Sequence, residues 1–166
     1  MKPCLTLVFF LFSLSFFAQD EWASWDNKYT SVKYADVIKA ERKYADSIEK
    51  DKNIAQYYSR IGAYKLNIKY LGKSRPVDKE VAKSMQAVYK LFIGNPSQLN
   101  PMLKNEFLFD VNGTQVWMPV QSVLEADFKK EIPAQSMVTV YCMFLNEHTQ
   151  AGKLYNIFFI SEFRND

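Results

Sequence analysis

Two cysteines, one histidine and five glycines among 166 residues leave little room for several kinds of chemistry. Of the cysteines, Cys4 lies in a stretch expected to be removed, so Cys142 has no partner for an internal disulfide. In the apolar run 137–145 it reads as a small buried hydrophobe. A tetrahedral zinc site draws on several His or Cys ligands, and His148 and Cys142 alone do not supply them. A nucleophile–histidine–acid arrangement would have to run through His148, and no serine sits in a Gly-x-Ser-x-Gly turn. His148 itself reads as an exposed residue of the polar loop 146–152, with Glu147 beside it pointing away. The glycines, at 62, 72, 94, 113 and 152, are too scattered for a phosphate-cradling loop. No catalytic residue, metal or cofactor is therefore expected. The enzymatic alternative that remains is a carboxylate-based hydrolase of the envelope, for which Asp110, Glu125, Asp127 and Glu162 are candidates without a distinguished pair.

Charge of one sign is also scarce, the formal net being +3. Residues 20–100 hold 15 Lys and Arg against 10 Asp and Glu, and residues 101–166 hold 5 against 8. Neither half approaches the balance of a dedicated nucleic-acid binder.

The N-terminus carries the clearest positive signal. Lys2 precedes an apolar run over 5–17 with five Phe and four Leu, followed by Ala18-Gln19 and the acidic pair Asp20-Glu21. A short basic end, an apolar stretch and a small-residue exit form the pattern of a secretory signal. The run is too short for a membrane span of roughly 20 residues. Cutting after Ala18 leaves Phe16 three residues back, and cutting after Gln19 leaves Phe17 there, so the boundary can shift by a residue or two. Cys4 precedes the apolar run and cannot be a lipid-modified cysteine at its exit. The expectation is an exported protein, periplasmic or secreted, with no transmembrane anchor after cleavage. Removing 1–19 leaves 147 of the 166 residues, ample for one domain or two small ones.

The mature part divides into a helical region, 20–97, and a β-rich domain with one helix, 98–166. Trp22 and Trp25 have no evident period and are expected to fold back onto the body. Apolar residues at three- and four-residue steps predict helices over 31–50 and 54–71, the second with the stripe Ile54, Tyr57, Tyr58, Ile61, Tyr64, Ile68 and Leu71. Asp78 and Gly94 bracket a third. Three such helices in a row suggest a small antiparallel bundle. Beyond Pro96, Asn112-Gly113 between 107–111 and 114–120 marks a hairpin. A helix over 121–132 and strands over 137–145 and 154–163 complete a β-β-α-β-β order. The fold class is α+β, with the second part either an open barrel of the oligonucleotide/oligosaccharide-binding (OB) type or a helix on a four-stranded sheet.

The segments Val116-Trp117-Met118-Pro119-Val120-Gln121, Phe128-Lys129-Lys130-Glu131-Ile132, Val138-Thr139-Val140-Tyr141 and Ile160-Ser161-Glu162-Phe163 resemble a family of uncharacterised exported bacterial proteins with a small β-rich C-terminal domain. That resemblance implies a compartment and no activity. With export and a shortage of catalytic groups, the expected role is a non-catalytic binding or accessory protein of the cell envelope. Its partner would be an envelope protein or a glycan, and not nucleic acid. A periplasmic inhibitor or immunity protein is a sharper variant. For the surface, Lys65, Lys69 and Lys73 recur every four residues as a basic ridge, and Trp117 and Tyr141 are aromatic candidates for a binding face.

Overall fold

The computed structural model describes residues 17–165. The fold is mixed α+β, in the order α1 (Phe17–Lys28), β1 (Thr30–Ser31), α2 (Tyr34–Lys50), β2 (Tyr58–Pro76), α3 (Lys79–Phe92), two short 3-10 turns, β3 (Leu103–Val111), β4 (Thr114–Gln121), α4 (Glu125–Glu131), β5 (Met137–His148) and β6 (Leu154–Arg164). Most of the expected leader lies in residues 1–16, outside the described residues. The expected cut after Ala18 or Gln19 falls in the first turn of α1. No helix among the described residues is long and apolar enough to cross a membrane.

The largest departure from the sequence reading is β2. The stretch expected as a second helix is a 19-residue strand. Its stripe fits a helical period, but Tyr64, Leu66, Ile68 and Tyr70 also alternate with Lys65, Asn67 and Lys69. Aromatic and branched residues at period two fit a half-buried strand. Leu66, Ile68 and Tyr70 are buried in the core, and the lysines between them are not. The three-helix bundle accordingly does not form. With a strand between them, α2 and α3 bury their apolar faces against the sheet instead.

β2 changes partners along its length. From Tyr58 to Lys69 it runs antiparallel to β5, and from Lys69 to Pro76 antiparallel to β3. The register shifts between Tyr70 and Ser74, around Gly72 at φ 75°. A Cβ at Gly72 would lie 2.6 Å from the Ala134 Cβ, so positive φ and lack of space both demand glycine. This bend lets β2 join two walls. The pairing then runs β2-β3-β4-β6-β5 and returns to β2, closing a five-stranded circuit with β1 added outside. The sheet therefore does not follow the expected β-β-α-β-β order, because β1 and β2 belong to it as well and α3 lies between β2 and β3.

Local signals place the rest. The Asp78 side chain accepts hydrogen bonds from the Glu80 and Val81 amides and starts α3. Met85, Val88 and Tyr89 of α3 pack with Leu99 on Leu145, Ile157 and Phe159, on the outer face of the β5–β6 wall. Asn112 and Gly113, at φ 53° and 84°, form the two-residue turn between β3 and β4.

Inside the circuit, Leu66, Ile68, Phe107, Phe109, Met118, Val120, Val138, Val140, Cys142, Phe144, Phe158 and Ile160 make one core. Burial pushes the Cys142 thiol well above its ordinary range, which keeps it protonated and inert. Helices close both ends. Phe128 and Ile132, from α4 and the residue after it, fill the end where β2 finishes and β5 begins. Val37 and Tyr34 of α2 fill the end where β3 turns into β4 and β6 begins.

Candidate functional site

Helix α2 positions most of the unusual chemistry. Val37, Glu41, Ala45 and Ile48 recur at four- and three-residue steps and form its buried face. Glu41 is the exception in that row, a carboxylate 6 % exposed. The Arg60 guanidinium, from β2, stands 3.4 Å from Glu41 Oε1 and lies over the Tyr44 ring at 3.6 Å. Beside it the Tyr58 hydroxyl donates to the Glu41 carbonyl oxygen at 3.4 Å. Burial first, and the nearby Glu41 charge second, push the Tyr58 hydroxyl up to about 12. The Tyr58 ring stacks on His148, with centroids 5.4 Å apart and planes 6° from parallel.

His148 is therefore not an exposed loop residue. It ends β5, is 2 % exposed, and its Nε2 lies 2.8 Å from Glu49 Oε1 at the end of α2. The signal for this was present: Val138, Val140, Cys142, Phe144, Asn146 and His148 continue one alternating row of buried residues past the point where apolarity stops. His148 Nδ1 and Glu41 Oε2 have no hydrogen-bond partner among the described residues. The cluster joins α2 to β2 by the Arg60–Glu41 ion pair and to β5 by the His148–Glu49 contact, and the Tyr58–His148 stack links the two strands. These contacts hold α2 against β2 and β5.

The five residues singled out for binding divide into two groups. Lys65 and Tyr141 face each other across β2 and β5, and both are covered by α1. Lys65 Nζ donates to Asp26 Oδ1 at 2.7 Å and the Tyr141 hydroxyl to the same oxygen at 2.8 Å, with Arg164 3.6 Å from Oδ2. Trp22 and Trp25 do fold back, each with its ring within 5.6 Å of the Tyr141 ring. Tyr141 is fully buried and offers no face to a ligand. Lys69, Lys73 and Trp117 belong to the opposite wall. Lys69 pairs across β2–β3 with Asp110, while Trp117 lies under the Arg75 guanidinium at 4.2 Å, and Arg75 binds the buried Glu106. A spacing of four residues keeps Lys65 and Lys69 on one face of a strand as well as of a helix, but the Gly72 bend and the change of partner divide the ridge. The carboxylates Asp110, Glu125 and Glu162 each accept a local hydrogen bond, from the amide of Gly113, the side-chain amide of Asn105 and the amide of Phe163.

Asp26 makes this docking pH-sensitive. Hydrogen bonds from Lys65 and Tyr141 hold its carboxyl below the ordinary 3.8. A carboxyl with a depressed folded-state pKa stabilises the fold above its unfolded value and loses that contribution as pH falls through the lowered value. We expect an acid-induced change in tryptophan emission below about pH 4 as α1 loosens, absent from Asp26→Asn. Superimposable acid profiles for the two proteins would show that charge does not hold α1.

A second basic feature was missed in the sequence. Between α2 and the β3–β4 turn lies a cleft of about 640 Å³, lined by Tyr34, Ile38, Val111 and Thr114 with Lys39, Arg42 and Lys43. No ion pair among the described residues involves those three cations, and Asp46 is the one acidic residue in the lining. Their spacing on α2 is visible in the sequence. What it could not show is that the hairpin turn would stand opposite. No protein-family model, curated protein or solved structure matches this chain.

Proposed function

We propose that this protein is an exported, non-catalytic binding or accessory protein of the bacterial cell envelope, built on an OB-type barrel. The circuit β2-β3-β4-β6-β5, with α4 in the connection from β4 to β5, supports the barrel reading. Export rests on the N-terminal pattern and on the resemblance to exported bacterial proteins. A barrel does not define a ligand, so the reading of function rests on a site.

The observation that carries it is the α2–hairpin cleft, where an apolar floor meets three cations that have no ion-pair partner among the described residues. A pocket of this size with a few convergent charges fits a ligand that is part apolar and part anionic. An acidic segment of an envelope protein or an acidic glycan has that chemistry. Lys69 and Lys73 on the other wall would then serve at most as an accessory surface.

The test uses the purified protein with defined probes, a glutamate-rich peptide and an acidic oligosaccharide. We expect binding of at least one, weakening with salt. The triple change Lys39→Gln, Arg42→Gln and Lys43→Gln should reduce it tenfold or more, since three exposed side chains are altered and the core is not. Equal affinity in the triple variant would move the site elsewhere, and no binding to either probe would count against the reading.

A further inference from the structure

Strand β2 uses its two edges unequally. One edge pairs with β5 from Tyr58 to Lys69. The other meets β1 at Tyr64 and Lys65, and β3 from Lys69 onward. Beside residues 59–63 this second edge has no ladder partner among the described residues, and no turn or cap hydrogen bond reaches their backbone. Two neighbours show which groups face it. The Val32 amide donates to the Lys65 carbonyl on this edge. On the other, ahead of β5, the Tyr70 amide donates to Ser136 and its carbonyl accepts from Gln135. Residues of a paired strand alternate between its edges, and the β2–β5 register is unbroken, so Ser59, Ile61 and Ala63 turn their N–H and C=O groups to the unpaired edge.

The two faces flanking this edge differ. On one, Arg60 and Tyr64 look toward α2, which stands off across a cleft of about 600 Å³ lined by Asp36, Ala40, Glu41 and Tyr64. The cleft runs along the unpaired stretch. Glu41 contacts Arg60 at one end, and at the other the Tyr64 ring lies over Gly62, 3.0 Å from where a Cβ would stand. Glu41 is buried, and its Oε2 has no hydrogen-bond partner among the described residues. Its charged neighbours are Arg60, held at Oε1, and the exposed Asp36 and Lys33. On the opposite face, the side chain midway along the stretch is Ile61, 45 % exposed. An unpaired edge is a template for another strand, and folds commonly guard it with lysine or proline, neither of which occurs in 59–63.

We propose that an extended peptide segment with basic residues at alternate positions adds as a strand beside 59–63 of β2. This site is separate from the cationic cleft, which lies on the other flank of α2. Main-chain hydrogen bonds to Ser59, Ile61 and Ala63 supply the affinity. Side chains of an added strand alternate between the two faces. Every second one points toward α2, where an ammonium or guanidinium meets Glu41 and Asp36. The others point to the Ile61 face, where apolar side chains cover it. A carboxylate with one unpaired oxygen favours a charged donor over a neutral one, which selects the basic residues. β1 blocks the edge beyond Ala63 and limits the docked strand to the length of 59–63. A second copy of this chain is the poorer occupant, because its own 59–63 segment offers one cation, Arg60, already bound to Glu41.

The experiment uses the Lys39→Gln, Arg42→Gln, Lys43→Gln protein, so that the cationic cleft does not contribute. The probes are an alternating Lys-Val hexapeptide, the same peptide N-methylated at alternate amides, and an alternating Glu-Val hexapeptide. The Lys-Val peptide should bind and slow amide exchange at Ser59, Ile61 and Ala63 tenfold or more. Arg60 and Gly62, whose amides face β5, should not change and serve as the internal control. N-methylation should weaken binding tenfold or more. Ile61→Pro should do the same, since it removes an outward N–H and no ladder bond. The Glu-Val peptide should bind at least tenfold more weakly. Binding that survives N-methylation, or that leaves exchange at the three outward amides unchanged, overturns the added strand. Equal binding of the Glu-Val peptide overturns the choice of basic residues. Protection of the same amides without peptide, fading on dilution, overturns the peptide in favour of a second copy. No binding of the Lys-Val peptide overturns the site as a whole and leaves the reading of the cationic cleft untouched.

Discussion

Replacing Phe128 with alanine is expected to lower the unfolding free energy by about 3–5 kcal/mol, the range for deleting a buried aromatic. Phe128 is fully buried and stands edge-on to Tyr70, Phe107 and Phe109, with the Phe163 ring 4.7 Å away. These rings come from β2, β3 and β6, so one side chain fills the barrel end for three strands. α4 has seven residues and no side-chain cap, too short to persist without tertiary contacts. Glu125 and Asp127 in its first turn and Lys129 and Lys130 in its last complement the helix dipole, an effect of tenths of a kcal/mol to about 1. The apolar plug therefore dominates. Urea unfolding followed by tryptophan emission and circular dichroism should show the loss with an unchanged m-value, and a fall in Tm of about 10 °C. A loss under about 1 kcal/mol would mean that α4 is not what closes the barrel.

The second large effect is expected at Tyr141. Its ring carries Trp22, Trp25 and Tyr29, all with centroids within 5.6 Å, and its hydroxyl binds Asp26. Tyr141→Ala removes the platform and leaves Asp26 and Lys65 without their third partner, for an expected loss of about 3–5 kcal/mol. Tyr141→Phe keeps the rings and removes one hydrogen bond to a charged acceptor, for about 1.5–3 kcal/mol. The loss should concentrate in α1, because β5 remains paired on both sides. Limited trypsin digestion reads this directly, since Lys28 is exposed at the end of α1. Cleavage there should accelerate tenfold or more in Tyr141→Ala and less in Tyr141→Phe. Unchanged cleavage in Tyr141→Ala would show that the aromatic stack does not hold α1.

Both positions were visible in the sequence as apolar residues, yet neither role was. Phe128 could be assigned to a helix face by spacing, but not to the end of a barrel whose first strand read as a helix. Tyr141 reads as an aromatic candidate for a binding face, and Trp22 and Trp25, which cover it, are far from it along the chain. Their docking depends on β2 and β5 presenting Lys65 and Tyr141 side by side. The same holds for His148, whose burial follows from α2 lying across the barrel end and from Glu49 arriving at its Nε2.

What the sequence by itself determined are the features set within a few residues: the Asp78 cap of α3, the Asn112-Gly113 turn, and the apolar strands over 137–145 and 154–163. Each depends on backbone conformation or composition near one point, where a side chain and its consequence are covalently close. Tertiary structure decided the rest. Residues 58–76 form a strand because two walls of the barrel supply the hydrogen bonds that a helix would have found internally. Lys65, Arg60 and Arg75 are taken into ion pairs with Asp26, Glu41 and Glu106, while Lys39, Arg42 and Lys43 are left facing a cleft. Spacing reveals which charges can share a face, but only the packed chain brings a partner to one cation and withholds it from another.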